Sequence, residues 1–497
     1  MKKFTITVIS LFMVLLISLS AISEAIGTNS KYASNQDYIQ SENLALKDKS
    51  NKMTDGKDSS VYRFKTRNGG EAVIDLGESC DLNCVILKEK GLNVQKFTIS
   101  VSDDNENFTQ IYANDKIEFH RLCTFDTVKA RYVKLTVEKS DNLPKIREVE
   151  IYNAVPEKKN DFRVSTYSTL GGSVFGIIDD TTLSDAEKDA KIKELIDADY
   201  YDTVTDYIDI GNVRWDEEGI IHTDGWDGIE RDEDKYYAVM MRNLHEVLDE
   251  KGVNLVITIL NPSGENGNQR VMKSITENRD TLITNMIAFA NKYEFDGIDL
   301  DWEFPMSQDE FDAYNSFLQE LKARMKTEMW NKEDATLSLA LGTWALKYTP
   351  EAIECIDYVN VMGYDILDQD GQHSSFFSSC VQAADYIESR GFSKEQINIG
   401  FPFYGTWEGG RMEQYAYNAI SEEISPFNNF YTMKKSDTKE DRYTYFNSQA
   451  IIRDKTAYAY LKGYGGVMIF SQYCDLPSDD ERSLTKAISD YLQEVTK

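Results

Sequence analysis

The chain has 497 residues, 54 of them Lys or Arg and 84 Asp or Glu, for a formal net charge of −30. That length holds two or three domains with full cores, and that acidity argues against nucleic acid or an anionic membrane as partner. It fits a neutral or cationic polymer as partner, or plain solubility. The six cysteines, at 80, 84, 123, 355, 380 and 474, show no metal-ligand spacing beyond a loose Cys80/Cys84 pair. They are too sparse for a disulfide framework, and none of the four histidines lies in a zinc motif, so no catalytic metal is expected.

In chain order, Met1-Lys2-Lys3 precedes an apolar run through Ile22 and then Ser23-Glu24-Ala25. Residues 1–25 read as a secretory signal peptide cleaved after Ala25, which makes the protein extracellular. A retained membrane anchor is the alternative, because the run is near the lower length for a span. No later segment is long enough to cross a bilayer. Residues 31–153 carry short alternating runs (Glu71–Leu76, Lys96–Val101, Ala130–Val137, Ile146–Tyr152) broken by turn clusters such as Asp103–Asn107. They predict an all-β sandwich. Residues 154–161, polar and containing Pro156, predict a linker.

From Phe162 to Lys497, strand-like and helical stretches alternate. The strands are Arg163–Tyr167, Val204–Ile210, Val253–Leu260, Phe295–Glu303, Thr336–Leu341, Tyr358–Tyr364, Ile397–Tyr404 and Gly466–Phe470. Helices are expected over Ser184–Ala198, Lys235–Lys251, Asn278–Tyr293, Asp309–Lys326, Ser378–Arg390, Ser448–Leu461 and Asp480–Val495, the first with Ser184 and Glu187 as a capping box. Only the link between the fifth and sixth strands lacks a long helix. This alternation predicts an α/β domain, a (β/α)8 TIM barrel. Trp407–Phe446 is an insertion after strand seven, rich in Tyr and Phe; it forms a cleft wall or a small subdomain with its own core.

The fourth strand carries the chemistry. Residues 295–305 read Phe-Asp-Gly-Ile-Asp-Leu-Asp-Trp-Glu-Phe-Pro. Alternation along a strand puts Asp299, Asp301 and Glu303 on one face and Leu300, Trp302 and Phe304 on the other. Three like charges that close cannot all ionise, so at least one carboxyl keeps its proton near neutral pH. A protonated carboxyl is a general acid of the kind that cleaves glycosidic bonds. A merely acidic, solvated strand face fits poorly with the apolar flanks.

The run Asp296-Gly-Ile-Asp-Leu-Asp-Trp-Glu303 resembles the signature of family 18 glycoside hydrolases, the chitinases and endo-β-N-acetylglucosaminidases. Met362-Gly363-Tyr364-Asp365, Gly400–Gly405 and Gly465–Phe470 resemble the family's strands six, seven and eight. The resemblance implies substrate-assisted, retaining hydrolysis of N-acetylglucosamine polymers, chitin first, with no cofactor. It implies Glu303 as acid and base and Asp301 orienting the substrate's 2-acetamido group. Asp299 would share a proton with Asp301, and Tyr364 would hydrogen-bond the acetamido oxygen. Asp365, Met362, Tyr404, Phe470, Trp344 and Trp407 are the substrate-binding candidates; for the two tryptophans a core role stays open. Phe470 stands where the family usually has tryptophan, and Thr258-Ile259-Leu260-Asn261 replaces its strand-three Ser-x-Gly-Gly, which puts the cleft shape there in doubt. Cleavage of N-glycan chitobiose cores, or sugar binding without catalysis, are the alternative readings.

The first domain resembles the discoidin, or factor V/VIII type C, module through Ala72–Gly77, Phe97–Ser102, Ala130–Leu135 and Ile146–Tyr152. Such modules bind glycans through loops at one end, and some hold a structural calcium ion.

Overall fold

The computed structural model describes residues 39–496 apart from 49–50, 58, 197–201, 225–228, 230, 345, 367–374, 408–409, 421–423, 435–440 and 478. The expected signal segment, the start of the first domain and the side chain of Trp407 lie outside the described residues.

The N-terminal domain is one continuous antiparallel sheet folded over its own core. Its strands are β1 (Tyr62–Arg63), β2 (Gly70–Glu89), β3 (Val94–Ser102), β4 (Thr109–Asn114), β5 (Arg121–Ser140) and β6 (Lys145–Tyr152), in the spatial order β1-β6-β2-β5-β3-β4. The sequence predicts short strands over Glu71–Leu76 and Ala130–Val137, but β2 and β5 each run for 20 residues. Their register slips between Asp75 and Cys80 and again between Leu82 and Cys84. Such irregularities let one strand bend and serve both layers of a sandwich. Between the layers lie Ile74, Leu76, Leu82, Val85, Phe97, Ile99, Val133 and Leu135, all buried.

Eight parallel strands then close a barrel. They are β7 (Arg163–Ser168), β8 (Asp206–Trp215), β10 (Asn254–Leu260), β11 (Gly297–Leu300), β12 (Thr336–Leu341), β13 (Tyr358–Val361), β14 (Ile397–Pro402) and β19 (Gly466–Phe470). Each pairs with its neighbour, and pairing of β8 with β10 and of β19 with β7 completes the ring. A short antiparallel β9 (Ile221–His222) edges β8. The helices are α1 (Gly171–Ile178), α2 (Asp185–Ile196), α3 (Tyr237–Lys251), α4 (Gly267–Thr276), α5 (Arg279–Lys292), α6 (Gln308–Glu328), α7 (Pro350–Cys355), α8 (Phe377–Ser389), α9 (Gln449–Lys462) and α10 (Leu484–Thr496). Their starts follow local chemistry: Ser307 and Glu310 form a reciprocal capping box before α6, as do Ser184 and Glu187 before α2. Gly252 ends α3 with φ 68°, the left-handed turn that glycine takes without strain. Helices α1 and α4 were not among the predicted elements. The first, Gly-Gly-Ser-Val-Phe-Gly-Ile-Ile, is weakened as a sequence signal by its three glycines, which are poor helix formers.

The insertion after β14 is a four-stranded antiparallel sheet of β15 (Tyr404–Trp407), β16 (Gly410–Ala416), β17 (Phe430–Lys434) and β18 (Asp441–Tyr445). Its described apolar residues join neighbouring cores: Tyr417, Ile420 and Phe446 enter that of the barrel, and Phe427 packs on the N-terminal domain, 5.7 Å from the Tyr112 ring.

The two domains are knitted together by polar groups as well. Asp454 of α9 is wholly buried and accepts hydrogen bonds from Tyr112 Oη (2.5 Å), Arg121 Nη2 (3.3 Å), Thr124 N (2.8 Å) and Thr124 Oγ1 (2.9 Å). Among the described residues, no helix is long and apolar enough to cross a membrane.

Candidate active site

The strand that carries the acids is shorter than its sequence suggests. β11 ends at Leu300, so Asp301 and Glu303 stand in the segment that leaves the barrel top, and only Asp299 lies on the strand itself. Alternation still holds for the opposite set: Leu300 and Trp302 are buried, and the Trp302 ring meets Tyr314 of α6 at 5.0 Å.

The three carboxyls occupy three environments. Asp299 is fully buried inside the barrel, where Tyr167 Oη (3.1 Å), Thr258 Oγ1 (2.8 Å) and Ser338 Oγ (2.6 Å) donate to it. Burial raises its pKa and these donors oppose the rise. Asp301 is half-buried, and its Oδ1 has no hydrogen-bond partner. Burial first, then the charges of Glu303 and Asp299, push its carboxyl well above the usual range. Glu303 stands at the top with an exposed residue surface, and its carboxyl is raised by burial first and then by the charge of Asp365.

Strand six brings the second group. Tyr364 is buried, and burial followed by Asp365, Asp301 and Glu303 holds its phenol well above the usual range, so it remains a donor. Asp365 has φ 57°, the left-handed region that Asp tolerates better than most residues. Two contacts hold it there: its N–H donates to Ser375 Oγ (3.3 Å), and Tyr404 Oη donates to its Oδ2 (2.9 Å). Gly400 of β14 leaves room for Tyr364, since a Cβ there would lie 2.9 Å from that ring.

Aromatic rings line the interior beside these groups. Phe470 lies 5.9 Å from Tyr167, 6.2 Å from Tyr364 and 6.3 Å from Tyr404, and Met362 packs against the same cluster. Trp344 is half-buried, 4.0 Å edge-to-face from Phe304, the residue after Glu303, and it covers Gly342. Thus Asp299, Asp301, Glu303, Tyr364, Asp365, Met362, Tyr404, Phe470 and Trp344 all lie about the carboxyl end of the strands, where barrel active sites form.

Four residues that support this set are not singled out as site residues by the sequence: Tyr167, Ser338, Asn360 and, in a donor role, Thr258. Asn360 Nδ2 donates to Tyr167 Oη (3.1 Å), and Asn398 Nδ2 to Asn360 Oδ1 (3.1 Å), so a buried polar column stands under Asp299. The available signal was polar residues at inward positions of otherwise apolar strands. In the Thr258–Asn261 segment, Thr258 is fully buried and supplies Asp299 with a hydroxyl, and Leu260 packs with the interior aromatic cluster. Among the described residues, no group of three His, Cys, Asp or Glu is placed to hold a metal ion, and all six cysteines are free.

Residues 241–475 match the family model "Glycosyl hydrolases family 18", and residues 30–150 match "F5/8 type C domain". The class V chitinase of Arabidopsis thaliana is 26% identical over 196 residues, 34% of this chain and 52% of that protein. Chitinase A1 of Niallia circulans is 27% identical over 269 residues, 41% of this chain and 38% of that protein. The chain spans about half, or less, of the length of these two curated relatives. Among solved structures, the GH18 chitinase ChiB from the chitin utilization locus of Flavobacterium johnsoniae aligns with a TM-score of 0.50 at 20% identity, covering 68% of this chain and 96% of that one. That likeness bears on the fold. Taken with the barrel and the acid-bearing fourth strand, these matches show that the chain carries a glycosyl hydrolase family 18 domain behind an F5/8 type C domain.

Proposed function

We propose that this chain is an exported glycosidase that cleaves β-1,4-linked N-acetylglucosamine polymers, chitin foremost, by a retaining, substrate-assisted route. One observation carries the reading: Glu303 is a raised, solvent-open carboxyl beside Asp301, a raised carboxyl with an unpartnered oxygen. A buried polar atom without a partner costs free energy, and a ligand that supplies the missing bond accounts for it.

In this reading the protonated Glu303 gives its proton to the glycosidic oxygen as the C–O bond breaks. The substrate's 2-acetamido oxygen attacks the anomeric carbon and forms an oxazolinium ion. Asp301 accepts the acetamido N–H and stabilises the positive charge, while Asp299, held by three hydroxyl donors, takes part of the shared proton. The Tyr364 phenol donates to the acetamido oxygen, and Asp365 lines the same subsite. Glu303, now a carboxylate, removes a proton from the water that opens the ring. Phe470 offers a smaller apolar face to the sugar than an indole would. The N-terminal domain would hold the polymer, and Lys47, Asp75, Asn105 and Tyr132 border a recess on it. Export rests on the apolar N-terminal run.

The test is product analysis by mass spectrometry after separate incubation with chito-oligosaccharides and a high-mannose glycoprotein. Shortened N-acetylglucosamine oligomers support the proposal. Glycan release that leaves one N-acetylglucosamine on asparagine moves the substrate to N-glycans. Sugar binding with no product from either would sink the catalytic reading.

A further inference from the structure

Helix α8 follows the strand-six motif, and its own sequence does not cap it. The N-cap position is Phe376, which has no side chain able to accept a hydrogen bond. The cap comes from the other domain. Glu118, in the connection between β4 and β5, accepts Phe377 N on Oε1 (3.2 Å) and Ser378 N on Oε2 (2.5 Å). Its negative charge also faces the positive end of the helix dipole. The same loop secures the side chains: the Arg121 guanidinium lies 5.4 Å from the Phe377 ring centroid, and the His120 ring stacks on Phe377 at 6.2 Å.

From that capped end, α8 reaches the candidate active site in one step. A Cβ on Gly363 would lie 3.2 Å from Ala383 Cβ, so helix and motif are in close van der Waals contact, and Ser379 Oγ donates to Gly363 O (3.3 Å). Tyr364 and Asp365 are the next two residues. The approach to the helix is held as well: Ser375 Oγ accepts the Asp365 N–H, and Ser375 O accepts Lys455 Nζ (2.8 Å) from α9. Around Glu118 stand Arg121 at 3.5 Å and, further off, Lys455 and Asp115, while Asp454 faces Arg121.

We propose that Glu118 is a positioning residue for the active site: it caps α8 across the domain interface and, through that helix, fixes the Gly363–Asp365 backbone beside Glu303. The N-terminal domain is then part of the catalytic scaffold, whatever glycan it binds. The inference rests on the reading of Glu303 and Asp365 given above.

The experiment compares the full chain with Glu118→Ala, Glu118→Gln and Thr124→Val on a short soluble chito-oligosaccharide. Thr124→Val loosens the same interface at Asp454 but leaves α8 untouched. Glu118→Ala should lower kcat by roughly tenfold to a hundredfold with KM little changed, as a displaced catalytic group does. The alkaline limb of its pH–kcat profile should move down by about half a pH unit, because Asp365 then raises Glu303 less. The groups facing Glu303 are Asp365, Asp301 and Tyr364, and only the Asp365 segment is perturbed directly. Glu118→Gln keeps one acceptor oxygen but loses the second bond and the charge, so its kcat, limb and exchange should lie between those of Glu118→Ala and the wild type. Thr124→Val should lower the melting temperature with kcat and limb unchanged. Amide hydrogen exchange over 358–366 should speed up in Glu118→Ala and not in Thr124→Val.

If Glu118→Ala lowers the melting temperature yet leaves kcat, limb and exchange as in the wild type, the proposal is overturned. Should that variant fail to fold, Glu118→Gln decides: a limb shifted in the same direction upholds the proposal, and an unchanged limb with unchanged exchange overturns it. If the wild type itself shows no turnover, the functional reading fails, and the exchange arm still decides whether Glu118 orders the Asp365 segment.

Discussion

Asp454 and Asp301 are both carboxyls taken out of water, and they are treated in opposite ways. Asp454, at the domain interface, receives four hydrogen bonds from Tyr112, Arg121 and Thr124, and it settles at about 6. Asp301, at the barrel mouth, keeps one oxygen without a partner and faces two more carboxyls, and it is pushed well up. A satisfied buried acid joins elements; an unsatisfied one among like charges is held ready for a ligand and a proton. Burial alone does not mark a functional acid. The count of its partners does.

The comparison can be broken most directly at the acid itself. Glu303→Gln removes the proton donor and keeps the shape, so kcat should fall roughly 100- to 10,000-fold, with oligosaccharide binding retained by calorimetry. Equal turnover in variant and wild type would end the assignment.

Asp454→Ala should do the reverse. Removing one partner of a buried ion pair costs about 3–5 kcal/mol, since Arg121 is left charged and buried. Denaturant unfolding should show this loss at unchanged m-value, and the turnover of the folded fraction should stay close to that of the wild type.

A third test uses pH. Asp454 and Asp209 are fully buried and both raised to about 6, by burial above all. Between the usual carboxylate range and about 6 the folded state binds more protons than the unfolded one, so stability falls as pH rises through that window. Melting temperature should therefore be higher near pH 5 than near pH 7.5, by roughly 1–2 °C for each kcal/mol involved. Asp454→Asn should flatten the change. Asp480 behaves oppositely: Arg482 holds it at about 2, so its contribution is lost only as pH falls towards that value.

The smallest effect is expected at Thr258→Val. It deletes one of three donors to Asp299 and should cost about 1 kcal/mol of stability by thermal unfolding. A lowered kcat together with a shifted acid limb would place Asp299 in the proton-sharing set; a loss of stability alone would make it part of the supporting column.

Taken alone, the sequence determined the barrel, the strand that carries the acids and the residues Asp299, Asp301 and Glu303. Those are local signals: apolar runs of strand length alternating with helical periodicity, and carboxyls at a spacing of two in an apolar strand. The helix start at Ser184 was legible for the same reason, since a cap is made by residues three apart. The tertiary structure decided the rest. The strand stops at Leu300 because its pairing with β10 ends at Asp299 and its pairing with β12 at Leu300, and pairing is a property of three segments. Tyr167, Ser338 and Asn360 reach Asp299 from other strands, and Tyr404 reaches Asp365 across 39 residues of chain. Glu118 is the extreme case: it caps a helix 259 residues away in another domain. A hydrogen bond between segments distant in sequence leaves no periodicity to read, because its geometry exists only once both domains have packed.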